Sequence, residues 1–354
     1  VDEKAGGQVA GDEYEKRDEL KVESGTLQEC RGGAPMWFRL PLTIREALTG
    51  ASAWLEAQAV DEARSNAELL LMHVLGVERA ALLLAWNDPF PAEKGKLWQA
   101  LLRRKAAGEP IQYMIGSQWF YGRPFAVTPA VLIPRPETEL LVEAVLAAAD
   151  RLWPDAAAEE GAPASAARPS ADAPTVVDVG TGSGAIAVTL AAQRPGWRLC
   201  ASDLSPDALD VARANAARHG AADRMAFAQG DLLAPFLAGG SDNTEHAGMR
   251  IDVLVSNPPY IPAADMGGLQ REVRDYEPHL ALAGGEDGLD PYRRMLEQLR
   301  GLSRIPRIVA FELGIGQPAI VAEWMERMEA WDDIRIIRDY GGIDRHIVAV
   351  RSAE

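Results

Sequence analysis

The stretch TVVDVGTGSGAIAVTLAAQ, residues 175–193, decides the reading of the fold. Its first five residues make a β-branched, strand-sized run, the next five a glycine-rich turn, and the rest a helix of small and aliphatic residues. Glycines at 180, 182 and 184 permit a tight turn and let backbone approach a ligand where Cβ atoms would obstruct it. The P-loop pattern GxxxxGK[ST] is absent. Downstream, WRLCAS, RMAFAQ, IDVLVS, RIVAFE, IRIIRD and HIVAV alternate with helical segments that open near Gly184, Pro206, Leu289 and Gln317. Such alternation predicts an α/β unit built on a mostly parallel, doubly wound sheet covered on both faces.

Upstream the periodicity changes. Residues 42–108 read as a small helical bundle, with TIREALTGASAWLEAQ, then a helix opening at a capping Asp61 and closing at Gly76, then ERAALLLAW and PAEKGKLWQALLRRKAAG. From Ile111 to Pro134, aromatic and β-branched residues punctuated by Gly and Pro read as a connecting β-hairpin. PETELLVEAVLAAADRL supplies a helix from about Pro136, where a missing amide hydrogen does no harm. The expected organisation is therefore an arm at 1–35, a helical substrate-recognition domain at 36–110, the hairpin at 111–134 and the sheet domain at 135–354. The arm is too polar to fold alone, and two loops without apolar periodicity interrupt the sheet domain at 154–174 and 238–250.

Composition narrows the function. With 36 Lys and Arg against 52 Asp and Glu, the net charge of -16 disfavours a nucleic-acid backbone as default partner. Cys30 and Cys200 are too few for a disulfide scaffold, and five histidines without close ligand spacing suggest no metal site. No apolar run is long enough for a membrane span, so a cytoplasmic protein without a membrane partner is expected. A monomer is expected as well.

Two sets of residues carry chemistry. Asp203 ends the strand after the glycine turn, where a carboxylate can accept both hydroxyl hydrogens of a ribose. Asp231 follows the third strand at the same carboxyl edge, and Asp178 either orients the turn or approaches the ligand's amino group. The turn lacks the full GxGxxG pattern and nothing downstream marks a hydride-transfer base, so S-adenosyl-L-methionine fits better than a nicotinamide dinucleotide. The fourth strand ends in Asn257-Pro258-Pro259-Tyr260. Its two prolines stiffen the loop and remove amide donors. An uncharged NH2 group can then donate one hydrogen to the Asn257 side chain and one to the Pro258 carbonyl, with Tyr260 against its plane. That arrangement suits methyl transfer to a planar nitrogen.

VLIPRPETELLVEAVL, DVGTGSGAIAVTLA, SNPPYIP, DYEPHLAL and GGEDGLDPYRRML together resemble the bacterial release-factor glutamine methyltransferases, from about Leu42 to Val350. The resemblance implies a Rossmann-like class I methyltransferase sheet with a small N-terminal helical bundle. It implies methylation of the glutamine N5 amide in the GGQ tripeptide of class 1 peptide-chain release factors, yielding S-adenosyl-L-homocysteine, with no direct need for nucleic acid. By the same resemblance, Gly180, Thr181, Gly182, Gly184, Asp203, Asp231 and Asn257 are cofactor positions. Arg135, Glu137 and Thr138 belong to a segment that closes near cofactor and substrate, and Asn257, Pro258, Pro259 and Tyr260 form the substrate pocket. Phe120 and Phe125 are candidates for a lid over the methionine and the glutamine, or else hairpin core. Glu277 either orders the substrate loop or sits in a surface turn. Glu312 and Gln317 either meet substrate or cap structure. The alternatives are an adenine-N6 methyltransferase acting on nucleic acid and a non-catalytic, cofactor-sensing protein-binding module.

Overall fold

The computed structural model describes residues 38, 41–154, 173–238 and 245–352. The expected arm, most of the expected loop at 154–174 and residues 239–244 of the loop at 238–250 lie outside them. The chain divides into two compact units, with the break between Ala107 and Gly108.

The first unit is helical. Helix α1 (Ile44–Ala57) opens with a capping box: Glu46 N–H donates to the Thr43 hydroxyl, and Thr43 N–H donates to the Glu46 carboxylate. Its buried Ile44, Ala47, Leu48, Ala51 and Leu55 follow helical spacing. Helix α2 (Ala63–Leu75) begins without the expected Asp61 side-chain cap. Glu62 occupies the N-cap in a left-handed conformation, and Asn66 Nδ2 reaches back to the Asp61 carbonyl at 2.8 Å instead. The helix ends at Gly76 in the left-handed conformation that glycine tolerates best. Helices α3 (Arg79–Leu84) and α4 (Gly95–Ala106) complete the unit, the latter burying Trp98, Leu101 and Leu102.

The second unit opens on a short helix, α5 (Ile111–Ile115), where a continuous hairpin was expected. Pro110 at its N-cap and left-handed Gly116 at its C-cap confine IQYMI to about one turn. The hairpin itself is β1 (Ser117–Phe120) paired with β2 (Arg123–Ala126). Its two-residue turn, Tyr121-Gly122, has positive φ at both positions, matching the twist of the paired strands. Helix α6 (Pro136–Leu152) follows, with Pro136 in its first turn.

The main sheet contains β3 (Thr175–Val179), β4 (Arg198–Asp203), β5 (Met225–Gln229), β6 (Val253–Ser256), β7 (Ile308–Glu312), β8 (Asp333–Arg338) and β9 (Asp344–Val350). The strand order is β5-β4-β3-β6-β7-β9-β8. The first five strands are parallel, and β9 runs antiparallel between β7 and β8. Connections include α7 (Ala185–Gln193), α8 (Pro206–Arg218), α9 (Arg271–Tyr276), α10 (Asp290–Gln298) and α11 (Pro318–Glu326). Alternating strand residues enter opposite layers: Val176, Val253 and Val255 pack with α6 and α7, whereas Val177, Val179 and Leu254 pack with α10 and α11. Strand order reverses beside β3, so the carboxyl ends of β3 and β6 flank the crevice where ligands of open α/β sheets bind. No helix among the described residues is long and apolar enough to cross a membrane.

Asn215, fully buried on α8, ties the hairpin to this crevice. Its Nδ2 donates to the carbonyls of Ala126 and Ser183, and its Oδ1 accepts from Ala126 N–H at 2.7 Å. Asn215→Ala should lower stability by about 1–3 kcal/mol, because buried backbone groups lose their partners. Denaturant unfolding checks this; an unchanged midpoint would mean that aromatic packing alone holds the hairpin.

Candidate functional site

The glycine turn after β3 needs glycine for two different reasons. Gly180 and Gly182 have φ of +70° and +54° with open space where a Cβ would stand, so conformation alone selects glycine there. At Gly184 a Cβ would come within 3.2 Å of the Ala212 Cα, so that glycine also lets α7 approach α8. Asp178 lies beneath the turn, wholly buried. Its Oδ2 accepts from the Thr181 hydroxyl at 2.7 Å and from Ala187 N–H at 3.2 Å, while Oδ1 has no partner. Burial is the main force pushing its carboxyl up to about 7. Asp178 thus orients the turn rather than lining the cavity above it.

That cavity has a volume of about 660 Å³ and is lined by the turn, the ends of β4, β5 and β6, the residues before α6 and the loop before α10. Asp203 faces it with both oxygens anchored: Oδ2 accepts from Gly182 N–H and Oδ1 from Ser205 N–H, each at 2.9 Å. Desolvation raises its pKa against these opposing hydrogen bonds. Asp231 also lines the cavity, ion-paired with Arg294 of α10. The Gly182 amide is committed to Asp203 and so is not left for a pyrophosphate. A carboxylate at the end of β4, open space above Gly180 and Gly182 and a cavity of nucleoside size fit S-adenosyl-L-methionine.

At the other side of the crevice, β6 delivers Asn257. Its Nδ2 donates to the Thr138 hydroxyl at 3.2 Å, and that hydroxyl donates to Glu312 Oε2 at 2.6 Å. The following loop is braced from behind. Gln317 Nε2 donates to the carbonyls of Tyr260 and Gly288, while its Oε1 accepts from Gly314 N–H at 2.8 Å. Gly288 has positive φ, and a Cβ there would collide with the Tyr260 carbonyl and Gln317. Burial, then the nearby Glu312 carboxylate, pushes the Tyr260 phenol up to about 12, so it stays neutral near pH 7. Glu277 is buried and pins the segment before α6: it accepts from Arg135 at 2.5 Å and from Ile133 N–H at 3.3 Å.

Of the residues singled out in the sequence, Phe120, Arg135, Thr138, Gly180, Thr181, Gly182, Asp203, Asp231, Asn257 and Pro259 line the cavity. Asp178, Gly184, Phe125, Glu137, Pro258, Tyr260, Glu277 and Glu312 do not. Phe125 is hairpin core rather than lid: it is fully buried, edge-on to Phe120 and 5.0 Å from the His219 ring. Sequence reasoning passed over Asn215 and Arg294. Asn215 had a signal, since it falls on the buried α8 stripe with Ala208, Ala212 and Ala216, where an unpaired amide would be costly. Arg294 has none, being one of two adjacent arginines on α10. Among the described residues, no group of three His, Cys, Asp or Glu side chains is placed to hold a metal ion.

A sheet of this order, with a glycine turn and an acidic strand end beside the point of reversal, defines a Rossmann-like class I methyltransferase fold that uses S-adenosyl-L-methionine. Residues 46–116 match the family model described as PrmC N-terminal domain, and residues 166–271 match the Methyltransferase small domain. The release factor glutamine methyltransferase of Moorella thermoacetica is 42% identical over 314 residues, which cover 88% of this chain and 100% of that protein. Those of Chlorobaculum tepidum and Bacillus subtilis are 40% and 39% identical, covering 86% and 87% of this chain and 95% and 98% of their own lengths. The chain belongs to the release factor glutamine methyltransferase family.

Two outcomes follow from this geometry. Asp203→Ala should weaken donor binding by about 1–3 kcal/mol, as expected for a charge-assisted hydrogen bond. Calorimetry on the folded variant checks this, and unchanged affinity would contradict the ribose assignment. Because Asp178 titrates at about 7 in the native state against 3.8 as an ordinary side chain, the native state binds the extra proton between those values. Its contribution to stability is therefore full below about pH 4 and lost as pH rises through about 7. Asp178→Asn should remove that part of the slope in denaturant unfolding measured from pH 5 to 8; an unaltered slope would assign it to other groups.

Proposed function

We infer that this chain methylates the N5 amide of the glutamine in the GGQ tripeptide of class 1 peptide-chain release factors and so modulates translation termination. S-adenosyl-L-methionine, when bound, supplies a methyl group on a sulfonium centre. Asn257 carries the reading. It stands at the cavity edge with its amide nitrogen engaged by Thr138, which leaves Oδ1 as an acceptor for one hydrogen of an incoming NH2 group. The Pro258 carbonyl is the second acceptor in this reading. Holding both hydrogens turns the nitrogen lone pair toward the donor and lowers the entropy cost of displacement. Both acceptors also favour the positive charge that builds on nitrogen as the N–C bond forms. A donor bound here would give up its methyl and be released as S-adenosyl-L-homocysteine, while Asn257 and the Pro258 carbonyl hold the amide until it passes one proton to water. Asp203 would hold the ribose hydroxyls of a bound donor, and Asp231 lines the same cavity. Arg135 and Thr138 line the cavity, and Glu137 lies between them in sequence in the first turn of α6.

Adenine-N6 methylation is less well supported: the compared relatives are named for release factors, and a net charge of -16 opposes nucleic-acid phosphates. A non-catalytic sensing module is disfavoured by the intact glycine turn, Asp203 and Asn257.

Asn257→Ala should leave donor affinity intact and lower the single-turnover rate by roughly 10² or more. A wild-type rate at saturating substrate would rule out the amide clamp. A glutamine amide carries little identity, so the helical unit is proposed to recognise the release factor away from the chemistry. An intact factor should then be methylated with far higher kcat/KM than a short GGQ peptide, and substitutions at the exposed Leu83 and Leu84 should reduce that advantage without weakening donor binding. Equal efficiency on both substrates, untouched by those substitutions, would leave the helical unit a structural role only.

A further inference from the structure

Glu312 is almost wholly buried at the end of β7 and does not line the cavity, although it lies one residue away from it through Thr138. A buried carboxylate needs a reason to be there, because desolvating it is unfavourable unless its oxygens are satisfied. Its surroundings hold it in place. The Tyr292 hydroxyl donates to the Glu312 main-chain carbonyl at 2.6 Å, and His346 Nε2, its cross-strand neighbour on β9, lies 3.7 Å from Oε2. The forward contact is the short bond from the Thr138 hydroxyl.

A hydroxyl has one hydrogen. Since a carboxylate has none to give, the Thr138 hydrogen is committed to Glu312, and toward Asn257 the same oxygen offers only lone pairs. Asn257 must therefore present its NH2 edge to Thr138 and its carbonyl oxygen the other way. An asparagine amide has two orientations of nearly equal shape, and only one offers an acceptor to a substrate NH2. We infer that Thr138 and Glu312 are positioning residues: through the one-way hydrogen bond between them they fix the orientation of the Asn257 amide, and with it the acceptor that receives the substrate amide. This rests on the reading of Asn257 as the substrate clamp.

Thr138→Val keeps the side-chain shape and removes the hydroxyl; Thr138→Ser keeps the hydroxyl. With intact release factor, Thr138→Val should slow single turnover by about 10- to 100-fold while donor affinity holds and the unfolding midpoint falls, because buried Glu312 loses its donor, and Thr138→Ser should recover most of the rate and of the midpoint. Glu312→Gln, whose amide can donate to Thr138 and reverse the hydroxyl, should also slow single turnover with donor affinity held. A wild-type rate in Thr138→Val, or equal losses in the valine and serine variants, would overturn the inference, the second by showing that packing is what matters. A readout independent of turnover separates this from the functional reading. In protein labelled with 15N-asparagine, the Asn257 side-chain NH2 should show one hydrogen-bonded, slowly exchanging proton in wild type and Thr138→Ser and none in Thr138→Val. Persistence of that proton in Thr138→Val would overturn the inference even if wild type methylated no glutamine, whereas its loss would uphold the amide orientation whatever substrate the cavity takes.

Discussion

The pairing of Val179 with Ser256 is the constraint on which the site depends. These are the last residues of β3 and β6, adjacent parallel strands, and the Ser256 hydroxyl donates to the Val179 carbonyl at 2.6 Å. With that register set, the chain leaves β3 at Gly180 and β6 at Asn257 at one level of one edge. A slip by one residue would turn every side chain of β6 to the other face of the sheet. Burial on both faces forbids this, because Val253 and Val255 belong to one core layer and Leu254 to the other. The core thus sets the distance between the glycine turn and the asparagine, and the loops only refine it.

Refinement comes from buried polar side chains that reach across elements. Asn215 couples the hairpin to the glycine turn, Gln317 couples the Asn-Pro-Pro-Tyr loop to the loop before α10, and Glu277 holds the segment before α6. Each satisfies backbone groups that would otherwise be buried without partners, so each adds rigidity to the cavity wall as well as stability. Glycine serves the same end where space is shortest, as at Gly284, whose Cβ would lie 2.8 Å from the Pro259 carbonyl.

What could be read in the sequence was what depends on local chemistry. The β3–turn–α7 unit, the helix starts at Gly184, Pro206, Leu289 and Gln317, the acidic end of β4 and the aspartate that follows β5 come from periodicity, capping and glycine conformation, and the structure has them there. What escaped depends on tertiary packing. The apolar IQYMI suits a strand or a helical turn equally, and flanking Pro110 and Gly116 decide for the helix. Phe120 and Phe125 share a face of the hairpin, yet only Phe120 reaches the cavity. Whether Glu312 meets a substrate or another side chain could not be read from its place at a strand end, because its partner Thr138 lies 174 residues earlier.

The central claim is that an amide nitrogen of glutamine, presented by a release factor, is the methyl acceptor. Its most direct test is mass mapping after incubation with a labelled methyl donor, offering intact release factor and nucleic acid together. The account predicts a single labelled site, the glutamine of the GGQ tripeptide, with no label in the nucleic acid. Label on adenine, or on a protein residue other than that glutamine, would contradict it.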